Sequence, residues 1–318
     1  MKRSFIKNRI LVAMVALLGL GGCAATPVTD SLTASPPRGM PGAVELTEVP
    51  FHAQTKYHCG PAALATVLNH SGREVTPTEL AEHIYTPGRK GTLQTEIKTG
   101  TRREGRLALP VRDMTVALSL VSKGHPVLVL QNLGLEMAPQ WHYAVVVGYD
   151  IGERTVTLRS GTTKRQVMPM ETFEHTWRRA KFWGVTIAPP KGPVPEGTVL
   201  ADWLGEAFGI ERAGGLDEAL AAYDTAAREW PTSASPLIFK ANLLAERKRL
   251  VDAERALREA LRREPGNGTA MNNLAHVLMM RNEFGLAEEM AERAVRTDDR
   301  MASVAEETLR EIRARRRE

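Results

Sequence analysis

The second half of the chain repeats itself every 34 residues, and no other feature limits the possible folds as tightly. Ala207, Ala241 and Ala275 are spaced by 34, as are Ala219, Ala253 and Ala287, and again Ala226, Ala260 and Ala294. Ile210, Leu244 and Leu278 keep the same register, and Pro231 and Pro265 close the first two units. From Val199 onward the chain is Ala, Leu, Arg and Glu with helical periodicity and no convincing strand. Small residues at fixed points let paired helices touch closely, and units of this length bury their apolar sides only by stacking. Residues 199–318 are therefore expected to form three helical pairs and a capping helix from about Met301.

This pattern resembles the tetratricopeptide repeat. Trp203 and Tyr223 match its aromatic positions in the first unit, whereas Leu237 and Met271 replace the tryptophan later and Asp299 replaces a third proline. The resemblance implies a concave groove for a peptide or partner protein, or a scaffold. A proline-rich linker, residues 189–198, separates the repeats from a first half of different composition.

That first half carries the chemistry. Gln54-Thr-Lys-Tyr-His-Cys59-Gly60-Pro61-Ala62-Ala63-Leu64 places a cysteine at the first turn of an apolar helix ending near Asn69. Proline suits a first turn, whose amides have no intrahelical partner to lose. The positive end of the helix dipole favours a thiolate there. A lone cysteine is more often a buried structural residue, so a partner is needed. His142 is the one histidine in this half that heads a strong strand, Trp141-His142-Tyr-Ala-Val-Val-Val-Gly-Tyr149. His52 and His58 lie beside the cysteine, His70 and His83 at helix ends, and His125 in a turn. Lone histidines are usually satisfied surface or core residues, but here Cys and His end different elements, as spatially assembled sites require. Cys59 supplies a nucleophile, His142 a base, and Gln54 an amide for the oxyanion that forms on attack.

The rest of the half reads as helices followed by an antiparallel sheet, an α+β domain over residues 44–188. Thr76-Pro-Thr-Glu79 is a capped helix start, a helix spans about Thr92 to Arg103, and Asp113 caps another. Strands follow at 126–131, 141–149, 154–160 and 182–187, with a helix at about 171–180. A weak edge strand leads in from Glu45 to Val49.

The two segments around Cys59 and His142 look like the bacteriocin-processing peptidase family, papain-like cysteine peptidases best known for cutting leader peptides after a double glycine. The resemblance covers about residues 45–188. It implies a glutamine serving the oxyanion hole, a cysteine nucleophile, a histidine base and an aspartate orienting that base. The first three carry over onto Gln54, Cys59 and His142. The aspartate does not. Asp150 lies eight residues along the strand from His142, roughly 26 Å if the strand is regular. In the returning strand the residues facing His142 are about Ser160 to Thr162, and no carboxylate stands among them. Ser160 as a neutral acceptor, Glu136 from nearby, or a dyad without an orienter are the alternatives.

The first 22 residues have a basic start and a short apolar run, Ile10 to Leu20, as a secretory signal does. Leu20-Gly21-Gly22-Cys23 resembles the bacterial lipobox, which implies a lipid on Cys23; Ala24 leans toward the outer membrane, facing the periplasm. Residues 23–43, rich in Ala, Thr, Ser, Pro and Gly, read as a flexible tether. Without the leader the formal charge falls from +5 to +1, which removes any case for a nucleic-acid partner. Cys23 and Cys59 are the only cysteines, so lipidation leaves Cys59 with no disulfide partner. No phosphate loop or metal-ligand spacing calls for a cofactor.

The expected protein is an exported lipoprotein with a cysteine peptidase domain and repeats that recruit a substrate or partner. Amide or acyl transfer on peptidoglycan is a rival within the same chemistry. A catalytically silent peptide-binding scaffold is the rival outside it.

Overall fold

The computed structural model describes residues 25–297 and 300–317. The leader, Cys23 and Asp299 lie outside the described residues. Among the described residues no helix is long and apolar enough to cross a membrane.

The chain opens with helix α1 (Pro27–Ala34) and strand β1 (Ala43–Glu45), then α2 (Cys59–His70), α3 (Pro77–Ile84) and α4 (Gln94–Arg103). Strand β2 (Leu107–Val111), helix α5 (Met114–Ser122), and strands β3 (Val127–Asn132), β4 (Trp141–Asp150), β5 (Thr155–Ser160) and β6 (Thr163–Pro169) follow. Helix α6 (Met170–Arg178) and strand β7 (Gly184–Ala188) complete the first unit. The sheet order is β2-β7-β3-β4-β5-β6, all pairs antiparallel, with β1 beside the far end of β4.

Helices cover both faces of this sheet, which is why β3 and β4 read as continuous apolar runs despite being antiparallel. On one face Leu128, Leu130, Tyr143, Val145 and Val147 pack against Leu64, Leu68, Leu80, Ile84 and Ile97 of α2 to α4. On the other, Val127, Val129, Ala144 and Val146 meet Met114 and Leu118 of α5 and Phe173 and Trp177 of α6. The expected helix starts hold: Thr76 and Glu79 form a reciprocal capping box, and Asp113 accepts from the amides of Thr115 and Val116.

The tether reading of residues 23–43 is corrected. Helix α1 docks on the domain with Thr29 and Leu32 buried. Thr29 N and Oγ1 donate to Glu174 Oε2 at 2.8 and 2.7 Å, and Arg154 pairs with Asp30 at 2.9 Å. Composition alone hides this, because the anchoring residues are a few apolar and hydroxyl side chains in a Pro- and Ser-rich stretch. The carboxylate they satisfy is on α6, more than a hundred residues away. Two strands were also not foreseen. Edge strand β2 contains Pro110, whose missing N–H an edge tolerates, and β6 is largely exposed and polar.

The repeats form helices α7 (Leu200–Arg212), α8 (Leu216–Glu229), α9 (Ser235–Glu246), α10 (Leu250–Arg263), α11 (Gly268–Met280) and α12 (Phe284–Thr297), closed by α13 (Ala302–Arg315). All nine periodic alanines are fully buried between helices. Trp203 donates to the Ala222 carbonyl at 2.9 Å and Tyr223 to Glu211 at 2.7 Å. The proline-rich linker does not separate two cores. Leu107, Leu109 and Ala188 of the sheet share one core with Trp203, Leu204, Ile210 and Tyr223 of the first repeat. Thr225 also bonds the Pro190 carbonyl at 2.9 Å.

Candidate active site

Cys59 is the first residue of α2, where Pro61 brings no amide of its own and no side chain caps the helix end. The approach to it is bent: Tyr57, just upstream, has φ of 68°, a left-handed conformation rare outside glycine. Gly60 is required at the next position. A Cβ there would lie 2.6 Å from Thr92 Cβ and Oγ1, so only glycine lets the segment before α4 close on the helix head.

Cys59 opens on a narrow cleft, lined also by His52, Gln54, Tyr143, Arg159, Ser160 and Gly161. The Gln54 backbone N–H donates to the Gly161 carbonyl at 3.0 Å, which ties the loop before Cys59 to the β5–β6 turn. Three of the four expected residues, Gln54, Cys59 and Ser160, thus meet in one cleft.

His142 does not line that cleft; it joins it through Ser160. Ala144 pairs with Ser160 across β4 and β5, which sets Ser160 diagonal to His142, and His142 Nε2 lies 2.9 Å from Ser160 Oγ. With Ser160 accepting from Nε2–H, the lone pair is on Nδ1. Burial holds His142 below the ordinary histidine range, with no charged group opposing it. Among the alternatives for the orienter, Ser160 is therefore the one in contact. Glu136 is exposed at the tip of the β3–β4 hairpin.

The competing histidines are held elsewhere. His52 Nε2 accepts from Asn69 Nδ2 at 2.9 Å, and Asn69 is fixed by the Val75 amide on its Oδ1. His58 bonds Thr55 at 2.8 Å and packs edge-on against Tyr85. Arg159 spans the floor toward backbone carbonyls, with Nη1 2.9 Å from Lys164 O. Tyr143 was not singled out from the sequence: its place in the alternating β4 run reads as core, and only the position of α2 over it brings it to Cys59.

The arrangement defines a cysteine–histidine α+β domain fused to tetratricopeptide repeats. Residues 46–185 match the Peptidase C39 like family, and 244–306 match a tetratricopeptide repeat model. An uncharacterized protein of Methanothermobacter thermautotrophicus is 33% identical over 126 residues, covering 40% of this chain and 80% of that one. Through its first domain the chain belongs to the C39-like peptidase family. A crystal structure described as a C39-like peptidase from Bacillus anthracis is 18% identical, covering 46% of this chain and 97% of its own, with a TM-score of 0.39. The TPR2B domain of yeast Sti1, solved with pHsp70, is 17% identical over 37% of this chain and 98% of its own, TM-score 0.35.

Proposed function

We propose that the protein is a cysteine peptidase in which Cys59 attacks a peptide carbonyl, His142 protonates the leaving amine, and Gln54 stabilises the oxyanion. The observation that carries this reading is the meeting of Gln54, Cys59 and Ser160 in one cleft, with Ser160 bonded to His142. A neutral serine in place of a carboxylate orients the ring without adding charge, so it favours a slow or specialised enzyme. The same substitution favours the second reading, a silent peptide-binding domain.

The repeats recruit a peptide or protein, and the protein is exported and held by a lipid on Cys23, in the outer membrane facing the periplasm. The leader's basic and apolar segments and its terminal Gly-Gly-Cys support that placement. Radiolabelled fatty acid should enter the wild type and not Cys23→Ala; equal labelling would refute the anchor.

Peptidase activity is tested by incubating the chain from residue 25 onward with a proteome-derived peptide library and reading new termini by mass spectrometry. Cleavage that disappears in Cys59→Ala and His142→Ala is the expected result. No cleavage, with unselective alkylation of Cys59 in both wild type and His142→Ala, would leave the binding reading in its place.

A further inference from the structure

The β3–β4 hairpin ends in an apolar tip that the fold itself does not use. In Asn132-Leu-Gly-Leu-Glu-Met-Ala-Pro-Gln-Trp141, Leu135 and Met137 are 72% and 96% exposed, and Leu133 and Trp141 46% and 55%. Polar and backbone groups hold the turn. Buried Asn132 accepts on Oδ1 from the Gly134 and Gln140 amides at 3.0 and 2.9 Å. The Leu133 amide donates to the Gln140 carbonyl at 2.9 Å, and the Ala138 amide to the Leu135 carbonyl at 3.2 Å. Gly134 lets the two arms close, since a Cβ there would lie 2.3 Å from the Ala138 carbonyl oxygen. A solvent-facing turn is ordinarily built from Gly, Asn, Asp and Ser, and clustered exposed apolar side chains mark a contact surface.

The end of α6 ties this tip to the start of the described chain. Arg178 Nη1 donates to the Ala25 carbonyl at 2.9 Å. The next residue, Arg179, donates from Nε and Nη2 to the Asn132 carbonyl at 3.1 and 2.9 Å. Two consecutive arginines thus hold Ala25 and the base of the hairpin at one corner of the domain. Cys23 and the apolar run at residues 10–20 precede Ala25 in sequence. A lipid on Cys23 is therefore two residues of chain, roughly 7 Å at most, from that corner. Lys181, exposed just beyond α6, adds a cation beside the arginines, and Glu136 is the only charge on the tip.

We propose that the β3–β4 tip is a membrane contact, with Leu135 and Met137 entering the bilayer that holds Cys23 and Trp141 at the level of its headgroups. The choice of a bilayer as the occupant rests on the anchored reading of Cys23 given above. Apolar side chains leaving water for acyl chains gain as they do in a protein core. Tryptophan favours the membrane–water interface, and the cations behind the tip are drawn to anionic headgroups. Stable attachment takes two signals, because a single chain binds weakly and leaves the domain free to swivel. The tip supplies the second signal. His142, next to Trp141 on β4, then lies close to the bilayer surface, and the cleft takes polypeptide there.

The test uses the chain from residue 25 onward with a hexahistidine tag at its N-terminus. It is held on vesicles of phosphatidylethanolamine and phosphatidylglycerol that carry a nickel-chelating lipid. The tag stands in for the lipid on Cys23, so the result does not depend on whether that residue is acylated. In a Cys59→Ala background, Met137→Cys carries an NBD fluorophore, and Arg255→Cys, exposed on α10 of the repeats, carries the same label as a reference. Doxyl-labelled lipid is expected to quench the label at position 137 and to leave that at position 255 unquenched. Adding Leu135→Asp should abolish the quenching with no change in melting temperature, because the side chain it replaces packs against nothing that the fold needs. Equal quenching at both positions, or quenching that survives Leu135→Asp, overturns the proposal and leaves the tip to a protein partner. Quenching at position 137 in a protein whose Cys23 takes up no fatty acid would uphold the contact and refute the lipid anchor alone.

Discussion

At the scale of residues, the site differs from a carboxylate-assisted one by a single atom group, and that makes it adjustable. Ser160→Ala removes the hydrogen bond on His142 Nε2. A neutral hydrogen bond is worth about 1 kcal/mol, so kcat/KM should fall roughly five-fold with little change in stability. Ser160→Asp works the other way: a carboxylate at that distance should raise the His142 pKa by about one to three units, read by NMR titration. An unmoved His142 would show that residue 160 does not face the ring in solution. Stability against pH follows from burial with a definite sign. His52, His125 and His142 are all lowered in the folded state, each mainly by desolvation. Below the unfolded value of about 6.5 the unfolded chain takes up protons first, so stability is full above that value and declines as pH falls toward the lowered folded values. Urea denaturation at pH 7.5 and 5.5 should show this decline, and His142→Gln, which keeps an amide near Ser160, should show less of it. An equal decline in wild type and variant would assign the effect to other groups.

Elements were legible in proportion to how local their causes are. The helix beginning at Cys59, the capping box at Thr76 and the Asp113 cap are written in neighbouring residues, and the 34-residue period fixes helix pairs without any knowledge of their partners. The sheet's apolar strands were readable as well, and a hairpin turning at Asp150–Glu153 put the stretch from about Ser160 to Thr162 opposite His142, but which group there meets the ring was left open and is set by the register of Ala144 with Ser160. What escaped depends on distant partners. Strand β2 exists because β7 and the first repeat bury its Leu107 and Leu109. Helix α1 exists because Glu174, fully buried on α6, needs the Thr29 amide and hydroxyl. The same dependence makes α1 a structural part of the domain. Removing residues 1–35 leaves Glu174 with Arg178 alone. Breaking a buried charge arrangement typically costs about 3–5 kcal/mol, and Arg178 remains to offset part of that. A loss of about 2–3 kcal/mol is expected from chemical denaturation against the chain from residue 25. An unchanged midpoint would mean that α1 is an ornament on a complete domain.

At the scale of the whole molecule, the repeats and the α+β domain are joined along α4. Thr92, just before this helix, presses on Gly60 at the site, and Glu96 in its first turn holds Thr86 and the Leu93 amide in place. Further along the same helix, Lys98 and Arg102 both meet Glu206 of α7, which is 3% exposed; the Arg102 contact is bidentate at 2.9 and 3.0 Å. Gly209, one turn on in α7, leaves room for Arg102, since a Cβ would lie 2.3 Å from its Nε. The first repeat therefore grips the helix whose other end borders the cleft, and it also covers Leu107 and Leu109. Each such side chain contributes about 1.5–3 kcal/mol when buried, so the interface holds several kcal/mol beyond its ion pairs. The two parts should unfold together. Calorimetry of the chain from residue 25 is expected to give one transition. A chain ending at residue 198 should melt well below it and expose apolar surface to a dye such as ANS. Glu206→Ala should lower the full chain's stability by about 2 kcal/mol, less than a wholly buried pair, because Lys98 and Arg102 are each about a third exposed and can turn to water. Two separate transitions, with a truncated domain as stable as before, would instead make the repeats an independent arm, and the grip on α4 would then have no bearing on the cleft.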